Sequence, residues 1–143
     1  MAHAGIVHAL REAHRVLKPD GLLLDLRPGP VHRRIGLEAD GQYEQLAIMG
    51  EKLDDDHAAN RAVAEMIRAG LFKSISRTQF NCNRTMALKD FEDWLATFAH
   101  DRAAPQERLI RTVTQAYKSK GKGKKIVVKG PLVLKVLRKV KAE

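Results

Sequence analysis

The chain is poor in the residues that would announce a chemistry. It has one cysteine, Cys82, among 143 residues, so no internal disulfide can form. That fits a reducing, cytoplasmic setting better than an oxidising one. Aromatic residues make up 5% of the chain, and none follows Tyr117. Bases therefore have no stacking platform in the C-terminal segment. No apolar run approaches the roughly 18 residues needed to span a bilayer. The first residues, Met1-Ala2-His3-Ala4-Gly5, lack the basic start and apolar stretch of a secretory signal. Cytoplasmic residence without a membrane partner is the expectation.

Charge is abundant but uneven. The formal net charge is +9. The segment after Tyr117 holds ten basic residues and one acidic residue. The preceding 117 residues carry sixteen of each sign, so the body is neutral. The basic loop Lys118, Lys120, Lys122, Lys124 and Lys125 is a candidate phosphate-contacting patch for non-specific nucleic-acid binding. From residue 132 onward the lysines interleave with apolar residues, which also reads as one solvated face of a β segment.

Hydrophobic spacing predicts an amphipathic helix over 6–17, through Ile6, Val7, Leu10, Ala13 and Leu17. Lys18-Pro19-Asp20-Gly21 ends it in a turn. Leu22 to Leu26 follows as a short strand. Its apolar residues on both faces suit a strand covered on both sides of a parallel sheet. Residues 41–53 read as a helix with Tyr43, Leu46, Ala47 and Gly50 on one side. Asp54, Asp55 and Asp56 supply charge and a cap for a helix to Ala69, burying Val63, Met66 and Ile67, with Gly70 just beyond. A strand is expected from Leu71 to Asn83, near solvent or at an edge. A helix over 87–99 presents Leu88, Phe91, Leu95 and Phe98. Another runs from Pro105 to Lys118, burying Leu109, Ile110, Val113 and Tyr117. Residues 126–128 and 132–140 read as strands, or as one strand broken at Gly130-Pro131. The sum is a single α/β domain over 1–143, with a short mixed sheet, flanking helices, and a basic loop and β segment at 118–143.

The run Ala9-Leu10-Arg11-Glu12-Ala13-His14-Arg15-Val16-Leu17-Lys18-Pro19-Asp20-Gly21 resembles the Leu-x-Glu-x-x-Arg-Val-Leu-Lys-Pro-Gly-Gly segment of class I S-adenosylmethionine-dependent methyltransferases. Asp20 stands where that family has its first glycine, which keeps the turn chemistry. Ala69-Gly70-Leu71-Phe72 resembles the family's entry to its sixth strand, Met86 to Leu95 the helix after it, and Val133 to Lys139 its closing seventh strand. The resemblance implies a partial Rossmann-like sheet made of the equivalents of strands 5, 7 and 6. It also implies that the donor-binding half is missing. The family's Gly-rich turn after strand 1 has no counterpart, and Gly121-Lys122-Gly123 follows no apolar strand. No cofactor is expected on this chain alone, and S-adenosylmethionine only if another chain supplies the first four strands. Independent methyl transfer is therefore not expected.

Three further readings concern sites. Asp25 and His32 stand at and after the end of the 22–26 strand, where substrates approach this class of sheet. A histidine with a nearby aspartate could act as a general base, and loop polarity with a salt bridge is the plainer reading. His3, His8 and His14 do not share one helical face, so no metal site is expected. Leu22, Leu24 and Leu26 would lie on a strand stripped of its usual neighbour. That open edge is a template for a homodimer or a partner protein.

Overall fold

The structure is a computed structural model. It describes residues 3–50, 52–99, 106–120 and 123–140, except the side chains of 98, 99 and 106. Four helices and five strands follow in the order α1 (His3–Val16), β1 (Leu22–Pro28), β2 (Arg34–Ala39), β3 (Gln42–Ile48), α2 (Asp54–Arg68), β4 (Phe72–Met86), α3 (Leu88–Ala99), α4 (Gln106–Ser119) and β5 (Lys125–Lys139). The strands hydrogen-bond in the order β1-β5-β2-β3, and β4 also pairs with β5. The chain is α/β as expected, but its sheet is antiparallel rather than mixed. β1 and β2 both run antiparallel to β5, and β2 antiparallel to β3. The α/β class follows from alternating periodicities, whereas strand direction depends on which distant strands meet.

The contacts fall into two compact units. One comprises Met1–Pro30, Leu53–Phe80 and Leu132–Glu143; the other comprises Val31–Lys52 and Asn81–Pro131. β4 and β5 contribute to both.

In the first unit, α1 packs on α2. The core is Val63, Met66, Phe72 and Leu137, with Val7, Leu10, Leu17, Leu23 and Leu71 against it. Leu23 and Leu137 face each other across β1 and β5. The turn after α1 forms as its residues dictate. Asp20 takes a positive φ of 61°, which short polar side chains tolerate. The last turn of α2 closes with Gly70 at φ 76°. The Gly70 amide donates to Ile67 and the Leu71 amide to Met66, at 3.0 and 3.1 Å, which satisfies two carbonyls that the helix leaves open. At the other end the three aspartates bring charge to the helix dipole, but they do not cap it. The N-cap residue is Leu53, without a side-chain cap hydrogen bond. Ile67 is 36% exposed rather than buried.

β1 also departs from expectation. Its alternate residues differ sharply: Leu23, Asp25 and Arg27 are half-buried, and Leu22, Leu24 and Leu26 are exposed. The strand is covered on one face only. A continuous apolar run reads the same whether one face or two are covered, so spacing alone could not tell.

In the second unit the core is Ile35, Leu37, Met49, Phe91, Leu95, Val113, Ile126 and Val128. Ile35 faces Val128 and Leu37 faces Ile126 across β2 and β5. The helix expected over 41–53 is not there. Arg34 to Ile48 is a β-hairpin instead. Asp40 and Gly41 have φ values of 54° and 76°. Two left-handed residues in a two-residue loop match the twist of antiparallel strands. The spacing of Tyr43, Leu46 and Ala47 suits a helix locally, but the Asp-Gly turn and the pairing with β5 decide. Leu109, Ile110 and Tyr117 of α4 are partly buried around Val113, as expected. Pro105 and the Phe98 side chain lie outside the described residues. β4 runs three residues beyond Asn83 and is exposed along nearly all its length. β5 passes through Gly130-Pro131 without breaking.

Candidate functional site

The densest polar cluster is built entirely within the first unit. On the helix-covered face of the sheet, Asp25 lies opposite Lys135 and Arg27 opposite Val133. Asn60 comes down from α2 and Arg77 reaches in from β4. These residues, with Pro28, Gly29 and Pro30, line a cavity of ≈ 70 Å³. Arg27 and Asp25 sit two apart on one strand, so their side chains share a face. The pair is bidentate: Arg27 Nε donates to Asp25 Oδ1 at 2.7 Å and Nη2 to Oδ2 at 2.9 Å. Arg27 Nη2 and Lys135 Nζ both donate to Asn60 Oδ1, at 3.1 and 3.3 Å. Burial holds the Lys135 ammonium below its ordinary range. The charges of Arg27 and Arg77 push the same way, and Asp25 opposes them.

This geometry changes the reading of Asp25. Both carboxylate oxygens take a hydrogen bond from Arg27, so Asp25 is an ion-paired, half-buried group rather than a free base. His32 belongs to the second unit and is exposed in the loop between β1 and β2. The cluster's other members had one legible signal. Val133, Lys135 and Leu137 alternate along β5, and Val133 and Leu137 are buried. A lysine in that register faces the core side. Asn60 and Arg77 had none, because they come from separate elements.

The basic patch is only partly a solvated surface. Lys118 and Lys125 are exposed. Lys120 pairs with Glu44 at 3.3 Å. Lys124 lies 4.4 Å from the Tyr117 ring centroid. Lys122 lies outside the described residues. Further along, Lys129 sits over the Tyr43 ring at 3.6 Å, and Lys139 Nζ donates to the Leu17 carbonyl at 2.7 Å. The last contact ties the end of α1 to β5, so these lysines hold structure as well as charge.

The histidines of α1 are used one by one. His3 Nε2 is 2.8 Å from Glu65 Oε2. His14 Nε2 donates to the Val140 carbonyl at 3.1 Å and its ring meets Phe72 edge-on. His8 is exposed. Among the described residues no group of three or more His, Cys, Asp or Glu side chains could hold a metal ion. Cys82 is exposed on β4. No described helix is long and apolar enough to cross a membrane. β1 pairs with β5 and, among the described residues, with no other strand. Leu22, Leu24 and Leu26 on its open face are 49, 64 and 56% exposed. Comparison with protein-family models, with curated proteins and with solved structures finds no match for this chain.

Proposed function

We propose that the chain is a methyltransferase-like half-sheet that works as an associating subunit and does not transfer methyl groups alone. The observation that carries this reading is that the last strand in sequence, β5, pairs with both β1 and β4. That is the arrangement expected of strands 5, 7 and 6. Support also comes from α1 and the Lys18-Pro19-Asp20-Gly21 turn leading into β1. The β2–β3 hairpin has no counterpart in the expected pattern and marks an elaboration of it. By this reading, S-adenosylmethionine belongs to the missing strands. Calorimetric titration with it is expected to show no stoichiometric binding to this chain, and tight one-to-one binding would overturn the proposal.

Association is proposed through β1, with a second copy as the partner. Antiparallel self-pairing centred on Leu26 sets Asp25 opposite Arg27 of the other copy twice over, so the strand is electrostatically complementary to itself. Edge pairing sets the exposed leucines of the two copies on one continuous face and covers only part of each, which contributes roughly 2–5 kcal/mol. The cost of association is about 4–15 kcal/mol, so a weak, concentration-dependent dimer is expected. Leu24→Lys, at an exposed position, should leave the monomer folded and weaken the dimer at least about tenfold in sedimentation equilibrium. A wild-type chain that stays monomeric at high concentration sinks the idea.

A second reading, non-specific nucleic-acid binding, draws on exposed Lys118 and Lys125. The two readings separate by salt. Phosphate contacts weaken steeply as salt rises, whereas a dimer held mainly by strand pairing and leucine contacts changes much less.

A further inference from the structure

We propose that the cavity lined by β1, α2, β4 and β5 of the first unit binds a tetrahedral dianion of the phosphoryl type, held by Arg27, Arg77, Lys135 and Asn60. The inference does not depend on the methyltransferase reading.

Charge is the first reason. Arg27, Arg77 and Lys135 bring three positive charges to the lining, and Asp25 brings the one negative charge. Asp25 spends both oxygens on Arg27. Asp56, one turn before Asn60 on α2, does not line the cavity. The surplus is two positive charges, which matches a dianion rather than chloride or a single carboxylate. Clustered cations in a half-buried site oppose one another; at Lys135 burial comes first in holding the ammonium below its ordinary value, and the charges of Arg27 and Arg77 add to it. An anion there relieves that repulsion.

Donor geometry is the second reason. A guanidinium has five N–H donors in a rigid fork. Arg27 uses three, on Asp25 and Asn60. Its two Nη1 donors have no partner among the described residues. Asp25 and Asn60 hold the fork in place, so little freedom remains to be lost when a ligand binds. Lys135 gives one donor to Asn60 and keeps two. Arg77 makes no hydrogen bond or carboxylate pair among the described residues. Guanidinium groups suit the paired oxygens of a phosphoryl group.

Size is the third. One water needs about 10–15 Å³ of such volume, so a cavity of ≈ 70 Å³ holds roughly five such centres. A phosphate has as many non-hydrogen atoms.

The test is an NMR titration of the full chain with sodium phosphate at ionic strength held constant with sodium chloride. Saturable shifts are expected at the Asn60 side-chain amide and the Arg27 Nε–H. Arg77→Gln, on the exposed strand β4, should raise the dissociation constant at least tenfold with the thermal midpoint in chloride unchanged. Lys135→Met should do the same, with circular dichroism reporting the fold. Phenyl phosphate binding more tightly than phosphate identifies an ester terminus as the ligand. Equal or weaker binding identifies the free ion. Shifts that do not saturate, that sodium chloride reproduces, or that Arg77→Gln leaves unchanged overturn the proposal.

Discussion

Replacing Phe91 with alanine is expected to remove about 3–5 kcal/mol from the stability of the second unit. Phe91 is fully buried on α3, in the core that joins α3 and α4 to β2 and β5. Truncation deletes most of a large apolar side chain and leaves a void that a close-packed interior fills only in part. Whole domains are stable by about 5–15 kcal/mol, so the loss is a large share of the total. Trp94 is the chain's one tryptophan. Its ring centroid lies 6.1 Å from that of Phe91, so its fluorescence reports this core during urea unfolding. Phe91→Leu keeps much of the volume and should cost about 1.5 kcal/mol or less. If Phe91→Ala leaves the fluorescence-detected midpoint in place, the described core is wrong.

The second large effect is expected at Gly36. This residue is buried on β2, next to a bulge between Ile35 and Gly36. A Cβ built there overlaps the Tyr43 ring. Tyr43 lies over Gly36 while the Lys129 ammonium stands on the ring. Burial raises the Tyr43 phenol above its ordinary value, and Arg34 pulls it partly back. Gly36→Val should therefore force the ring away and cost about 1–3 kcal/mol. The cause is one side chain, so it can be tested by removing that side chain. Tyr43→Ala in the same chain should recover much of the loss. The two changes should thus couple by about 0.5–3 kcal/mol in a double-mutant cycle. Strict additivity would show that the ring and the glycine are not in contact.

Local order was legible where a single physical period dominates. The apolar stripes of α1, α2, α3 and α4 recur at helical spacing, and Gly70 marks the end of α2, where the helix closes on a left-handed residue. Ile67 shows the limit of that reading, since a residue at the rim of a stripe can face either core or water. The 34–48 hairpin shows a larger limit. Asp40-Gly41 is a strong turn signal, but Tyr43, Leu46 and Ala47 fit a helix as well as a strand. Local preference of that size is overridden when a neighbouring strand offers a full ladder of hydrogen bonds.

The polar site followed the same division. Asp25 and Arg27 are close in sequence, and their salt bridge was readable from two-residue spacing on a strand. Lys135 carried a faint signal in its register with Val133 and Leu137. Asn60 and Arg77 carried none. Asp25 is held by Arg27, two residues on along the same strand.

The amino-acid sequence by itself determined the α/β class, the places of α1, α2, α3 and α4, the turn after α1, the neutral body and the basic C-terminal segment. Each depends on residues within a few positions of one another. Only the tertiary structure decided that the sheet is antiparallel, that β1 hides one face and shows three leucines on the other, and that Arg27, Arg77 and Lys135 converge beside Asn60. Those outcomes depend on pairings such as Asp25 with Lys135, which the chain closes across more than a hundred residues. The free energy of such a pairing is set by the whole packed core, and no short window of sequence contains it.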